Sequence, residues 1–278
     1  MTLDDGPNMK DACFVAPIHY QKFNFGLDFV KSYNHFYNDD HIYLVFSDQE
    51  EYDHFKVIAE GLRYRSLICP PLASQSPTTE KKFYGLQQIY ATTDFINVAA
   101  VDIDTTFFRT IDYAFLFGEY YKRGIIYGND YEYLPWPIVE SPLKFFNEQD
   151  QKIIFDKTGG YRAYFWFNDV PVYNREHFLN FCQYINYDQR QHELKWIDFD
   201  FIIYAYYLLI KDLFRIEPFL VNGLPLNAIF IENQPLIPEE IFQVLFYQAR
   251  PMWIRKEIEP RYMPNTFMKV HVDRPWNL

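Results

Sequence analysis

Asp102-Ile103-Asp104 follows directly on the apolar run Phe95-Ile96-Asn97-Val98-Ala99-Ala100-Val101 and precedes Thr105-Thr106-Phe107-Phe108. Two carboxylates one residue apart, at the end of what reads as a buried strand, do not help to build a core. Held unpaired beside apolar side chains they would cost several kcal/mol, so positive charge is expected between them. Hard oxygen ligands suit magnesium or manganese, ions that keep open positions for substrate phosphates. A phosphate-bearing substrate is therefore the first expectation. A solvated turn capping the strand is the plainer alternative, and the apolar run before the pair weighs against it.

The elements that must position this pair can be read outward from it. Residues 13–18 form a short apolar strand, and 23–37 a helix with Phe25, Phe29, Tyr33 and Phe36 at helical spacing. A second strand covers 42–46, after which Asp48 caps a helix running to about Ala59. Residues 65–69 read as a third strand stopped by Pro70-Pro71, 74–79 as a loop and 80–90 as a helix. The strand 96–101 then delivers the carboxylates. Strands alternating with helices predict an α/β fold with a doubly wound, mostly parallel sheet, whose ligands bind outside the carboxyl ends of the strands.

The second half is less regular. A strand is expected at 124–127, a proline-bearing loop at 131–142 and strand-like backbone at 161–167. Asn174 is placed to cap a helix over 175–185, and Asp198 to open a long apolar helix to about Phe214. Residues 251–278 carry no long periodic pattern and must fold back to be stable. The two halves read as one compact domain with two faces.

At 278 residues the chain can bury a substantial core. Its net charge of −11 makes a nucleic-acid partner unexpected, since no basic run is visible. Cys13, Cys69 and Cys182 are odd in number and far apart, forming neither a zinc motif nor a disulfide framework, which suits a reducing, cytoplasmic setting. Residues 1–12 lack the pattern of a signal peptide, and no run of ~20 apolar residues is available to span a membrane. The 24 Tyr and 28 Phe supply stiff contact surfaces for sugars or bases, although burial alone can use them.

Val101-Asp102-Ile103-Asp104, placed behind its apolar strand, resembles the DxD motif of GT-A-fold glycosyltransferases. Lys81-Lys82-Phe83-Tyr84-Gly85-Leu86 looks like the lysine-bearing helix that many such enzymes place before that strand. His271-Val272-Asp273-Arg274-Pro275-Trp276 is similar to the terminal His-x-x-x-Lys-Pro-Trp-like segment of glycogenin-like members. The tail departs from that pattern, with no glycine after the histidine and Arg in place of Lys. The resemblance implies a GT-A, Rossmann-like fold of bacterial type. Residues 1–110 would bind a nucleotide-sugar, and 111–278 would bind the acceptor and fold the C-terminal segment back onto the metal.

It also implies roles. Asp102, Asp104 and His271 would hold Mn²⁺ or Mg²⁺, and Arg274 would fork onto a phosphate, with Lys82 beside the donor. Ala16, Pro17, His19, Tyr20 and Ser47 would line the nucleotide site, where Tyr20 either stacks on a uracil or simply packs. Asp198 and Asp200, in Trp196-Ile197-Asp198-Phe199-Asp200, match an acidic acceptor segment and are candidate bases, against a plain helix cap for Asp198. Asp169 is a second candidate, against a turn. The implied reaction moves a hexose from a nucleotide-sugar, UDP-linked by analogy, to a glycan or lipid-linked acceptor in surface polysaccharide synthesis. Peripheral contact with the inner membrane face is compatible with it.

Two rivals come from other classes. Val101-Asp102-Ile103-Asp104-Thr105-Thr106 also matches the first motif of haloacid-dehalogenase-like phosphohydrolases, with Asp102 as nucleophile. That family places the motif on its first strand, whereas here several strands and helices come first. The other rival is a non-catalytic carbohydrate-binding protein using Trp136, Trp166 and Trp253 as platforms, which would need no carboxylate pair at a strand end.

Overall fold

The computed structural model describes residues 12–105, 107, 112–130, 136–161, 163–164, 171–218, 220–221, 224–225, 244–248 and 267–271. In chain order these form β1 (Ala12–Pro17), α1 (Phe23–Phe36), β2 (Ile42–Phe46), α2 (Gln49–Ile58), β3 (Arg65–Ile68), α3 (Pro77–Thr92) and β4 (Asn97–Ala100). There follow α4 (Tyr113–Arg123), β5 (Ile125–Asp130), α5 (Trp136–Glu140), α6 (Glu148–Lys157), β6 (Ala163–Tyr164), β7 (Val172–Asn174) and α7 (Arg175–Tyr184). The remaining elements are α8 (Tyr187–Arg190), α9 (Asp200–Ile210), β8 (Arg215–Pro218), β9 (Leu220–Val221), β10 (Leu224–Pro225), β11 (Val244–Gln248) and β12 (Phe267–His271).

The expected mostly parallel central sheet flanked by helices is what forms. Its order is β3-β2-β1-β4-β7, with the first four strands parallel and β7 antiparallel to β4. Every residue of β1, β2 and β4 is buried, as required of strands covered on both faces. Alternation along β1 sorts side chains between two cores. Cys13 and Val15 join α3, α7 and α9 on one face, whereas Phe14 and Ala16 join α1, α2 and α4 on the other. On that second face Phe14 meets the rings of Tyr33, Phe107, Tyr113 and Phe117 at 5.0–6.1 Å, so much of the aromatic content serves packing. The second half adds a mixed sheet, β6-β5-β8, in which β5 is antiparallel to β6 and parallel to β8.

Several boundaries are local and came out as expected. Asp48 caps α2 by accepting from the Glu51 amide at 2.8 Å, and Asn174 caps α7 through the amides of Glu176 and His177. Others differ. Pro77 starts α3 three residues earlier than expected, because a proline is tolerated where no amide donor is needed. The loop expected at 131–142 contains α5 and a 3₁₀ turn, Ser141–Phe145, with Pro137 and Pro142 each at a second position. Helices α4 and α6 were not singled out by the sequence pattern. The long apolar helix is shorter at both ends than expected. It opens at Asp200 because the Asp198 carboxylate is engaged elsewhere, and it stops at Ile210 where Asp212 turns left-handed at φ 54°.

Among the described residues the three cysteines form no disulfide, and no helix is long and apolar enough to cross a membrane. Asp169, Trp166, Trp253 and Arg274 lie outside the described residues, as do the side chains of Trp136 and His271.

Gly85 lets α3 lie against β1 and β2. A Cβ there would stand 2.6 Å from Val15 Cγ2 and 2.9 Å from Val45 Cγ2, both on stiff β-branched side chains. Overpacking of this kind costs about 1–3 kcal/mol, against about 1 kcal/mol gained from the better helix former. Gly85→Ala is therefore expected to lower stability by about 1 kcal/mol in urea titration. A more stable variant would contradict this packing.

Candidate functional site

Parallel pairing brings the carboxyl ends of β1, β2 and β4 to one edge of the sheet, and the residues that leave those ends build the site. The Val101 amide extends the pairing by donating to Val15 O at 2.9 Å. A tight turn follows, closed by the amide and hydroxyl of Thr105 donating to Asp102 O at 3.1 and 2.6 Å. The turn sends the two carboxylates to different surroundings. Asp104 is buried, with Lys22 Nζ 3.5 Å from its carboxylate. Asp102 is about one-third exposed and lies 2.9 Å from Lys82 Nζ. The positive charge expected around the pair is thus supplied by two lysines.

Lys82 is the junction of the site. It is buried on α3, and besides Asp102 it donates to Asp200 Oδ1 at 3.0 Å. The other oxygen of Asp200 accepts from the Tyr173 hydroxyl at 2.6 Å. Burial disfavours the Lys82 ammonium, but the attraction of Asp102 and Asp200 prevails and holds its pKa above the ordinary lysine value. Asp200 is the first residue of α9, where the helix dipole also favours negative charge.

Lys81, one residue earlier and about a quarter-turn round α3, reaches a different group. Its ammonium is fully buried and donates to Ile18 O at 2.5 Å, with His19 Nδ1 at 3.3 Å and Glu51 Oε2 at 3.5 Å. Glu51 in turn ties the ends of β1 and β2 together, accepting from the Tyr20 amide at 2.9 Å and the Ser47 amide at 2.6 Å. Burial and the neighbouring Lys81 push the His19 pKa down to about 4, so the ring is neutral at pH 7. Burial likewise lowers the pKa of Lys81.

The structure places the expected residues unevenly. His19, Tyr20 and Ser47 meet around Glu51 and Lys81, and Asp102, Lys82 and Asp200 form one connected group with Asp104 on the same turn as Asp102. Ala16 is fully buried with its methyl in the core behind the sheet, so only its main chain can face a ligand, and Pro17 is buried too. Tyr20 is 45% exposed and its ring stacks on Phe23 at 5.0 Å. Asp198 is neither a helix cap nor exposed. Its Oδ2 accepts from Lys144 Nζ and from the Lys195 amide, which anchors the segment before α9. His271 closes β12, opposite Gln248 of β11.

Three residues of the site escaped sequence reasoning, Lys22, Glu51 and Tyr173, and Lys81 entered it only as part of the lysine-bearing helix segment. Only the adjacent lysines of α3 carried a signal, since two charged residues in a row on a helix of mostly apolar inward positions must find partners on separate sides. Two carboxylates on one turn suit a magnesium- or manganese-type ion, which is commonly bound through one or two protein carboxylates while phosphates and water complete its shell. Among the described residues no group of three His, Cys, Asp or Glu side chains converges to hold a metal by itself. Asp102 and Asp104 are the two carboxylates of this turn that such an ion would use.

No family model and no curated protein matches the sequence. Among solved structures the chain is similar to the mannosyltransferase Ktr4p from S. cerevisiae, at 13% identity over 77% of this chain and 70% of that one, with a TM-score of 0.44. It is also similar to core-mannan synthase A from Aspergillus fumigatus in its Mn/GDP form, at 13% identity, 75% and 72% coverage and a TM-score of 0.40. Mouse xyloside xylosyltransferase 1 in its apo form aligns at 9% identity over 95% and 100%, with a TM-score of 0.44. Likeness this distant carries no functional argument, which comes from the residues instead.

Two outcomes test this geometry. Lys82→Met leaves Asp200 buried without its cation and is expected to cost on the order of 3 kcal/mol in chemical denaturation. A loss below about 0.5 kcal/mol, typical of an exposed pair, would show that Lys82 is not an internal bridge. His19 gives a pH dependence. Its folded pKa of about 4 lies below the ordinary 6.5, so the unfolded chain takes up the proton first. Its contribution is complete above pH 6.5 and is lost as pH falls toward 4, with a slope of at most about 1.4 kcal/mol per pH unit. His19→Gln should remove that part of the slope between pH 6.5 and 4, as read from urea midpoints. Parallel pH profiles for the two proteins would contradict it.

Proposed function

We propose that this protein is a metal-dependent glycosyltransferase of GT-A type, moving a sugar from a nucleotide-sugar to a glycan or lipid-linked acceptor. One observation carries the reading. The strand order 3-2-1-4 reverses direction between β1 and β4, and ligands of open α/β sheets bind in the crevice at such a reversal. His19 leaves β1 on one side of that crevice, with Lys81 and Glu51 beside it, and Asp102-Ile103-Asp104 leaves β4 on the other. A nucleotide on the β1 side and a diphosphate on the β4 side suit this arrangement.

In this reading Asp102 and Asp104 hold Mn²⁺ or Mg²⁺, with His271 as a further ligand, and the ion supplies charge neutralisation at the departing diphosphate. Lys82 orients Asp102 and faces the donor, and Arg274 pairs with a phosphate. His19, Tyr20 and Ser47 surround the nucleotide, taken as uridine by analogy with the family. The neutral His19 ring accepts from Lys81 at Nδ1, which leaves Nε2–H as a donor for a base or ribose oxygen. Asp200 is held by the buried Lys82 and Asp198 by the half-buried Lys144, so we give them positioning roles and retain Asp169 as the proposed base for the acceptor hydroxyl. A surface polysaccharide acceptor and a cytoplasmic protein touching the inner membrane face complete the proposal. The phosphohydrolase reading is weaker, because the motif lies on the fourth strand and Asp102, its nucleophile, is paired with Lys82.

The test is a thermal-shift screen of UDP- and GDP-sugars with and without Mn²⁺. A donor at a hundred times its Kd stabilises the native state by about 2.7 kcal/mol, which is read directly as a raised Tm. The expected result is a shift that requires both donor and metal, and Asp104→Asn should abolish the metal-dependent part while melting cooperatively. If no nucleotide-sugar raises the Tm at saturating Mn²⁺, the transferase reading is lost.

A further inference from the structure

The hydroxyl of Tyr173 is buried, yet it ends a continuous chain of polar contacts that leads to the carboxylate turn. Tyr173 Oη donates to Asp200 Oδ2 at 2.6 Å, Lys82 Nζ donates to Asp200 Oδ1 at 3.0 Å, and the same ammonium lies 2.9 Å from Asp102 Oδ1. Each link is a hydrogen bond with at least one charged partner, the strong class of such contacts. The chain crosses four elements: β7, α9, α3 and the turn after β4.

Tyr173 itself has little freedom. It is fully buried, its ring is packed against Tyr204 at 4.6 Å and Phe178 at 5.6 Å, and its carbonyl accepts from the Tyr90 hydroxyl at 2.6 Å. Its backbone is in register with Val98 of β4. The side-chain path thus starts on a strand paired to β4 and returns to the carboxylate that β4 delivers, closing a loop. The phenol fixes the rotation of the Asp200 carboxylate, and with it the position of the ammonium that Asp200 shares with Asp102.

We propose that Tyr173 is a positioning residue for the metal site, acting through Asp200 and Lys82 to hold Asp102 in its ligating orientation. This rests on the transferase reading above. Removing the hydroxyl lets the Asp200 carboxylate turn and, through Lys82, loosens Asp102, although Tyr173 touches neither metal nor donor. Loss of a group that orients a metal ligand typically weakens metal binding 10–100-fold.

The experiment measures Mn²⁺ affinity in the presence of UDP, from the free-Mn²⁺ signal in electron paramagnetic resonance, for the intact chain. Tyr173→Phe is expected to weaken Mn²⁺ binding by roughly tenfold. Tyr184→Phe is the control, because its hydroxyl makes a like bond to Asp150 at 2.7 Å in a part of the fold unconnected to Lys82. That variant should lower the Tm and leave Mn²⁺ affinity within twofold of the parent. Asp200→Asn repeats the test without removing an aromatic ring, should Tyr173→Phe fail to fold. Unchanged or tighter Mn²⁺ binding in Tyr173→Phe, or in Asp200→Asn where it must stand in, overturns the proposal. So does equal weakening in Tyr184→Phe, which would mean that affinity merely follows stability. A parent protein that binds no Mn²⁺ with UDP, UDP-sugars or GDP-sugars overturns the transferase reading itself, a failure distinct from the other two.

Discussion

Lys82 is a buried ammonium held between two carboxylates that come from opposite parts of the chain. Burying the charge of Lys82 or of Asp200 alone would be expensive, and together they are tolerable because each finds a partner at hydrogen-bond distance. That requirement fixes where α3 and α9 stand relative to the end of β4. It also means that the site is not an addition to a finished fold. Helices α3 and α9 carry both apolar side chains of the core and the ion pairs that shape the carboxylate turn.

The sheet makes such an arrangement possible. Four parallel strands present their carboxyl ends together, so three chain segments far apart in sequence leave the sheet within reach of one another. Glu51 uses this directly, with one oxygen on the segment after β1 and the other on the segment after β2. Lys81 and Lys82, neighbours on α3, divide the edge between them. One serves the β1–β2 side and the other the β4–α9 side. The apolar interior explains why both lysines must be satisfied so fully. It also explains why His19 stays neutral, since a second cation beside Lys81 in a partly buried setting would be unfavourable.

Features decided within a turn or two of chain were legible early. The strand before Asp102, the caps at Asp48 and Asn174 and the alternation of strand and helix all arise from local patterning, and the sheet formed as that alternation implied. Asp198 shows where local reading fails. An acid just before an apolar helix is a natural cap, yet its carboxylate pairs with Lys144, a residue 54 positions away, and the helix opens two residues later. Ala16 shows a narrower limit of the same kind, since only its main chain is left to face a ligand. Its position at a strand end suggested a ligand contact, but the pleat directs its side chain into the core. Nothing in the neighbourhood of Tyr173 announced that its hydroxyl would meet Asp200, because that meeting depends on β7 running antiparallel beside β4.

From the sequence alone came the pair of carboxylates, its place at the end of a buried strand, the demand for positive charge around it and the class of sheet that would carry it. Those follow from the cost of burying charge and from short-range periodicity, which act whatever the rest of the chain does. The tertiary structure alone chose the charges. Lys82 and Asp200 are 118 residues apart, and Lys22 meets Asp104 only because α1 begins beside the end of β4. Such pairings are set by strand order and helix placement, and no local propensity encodes them.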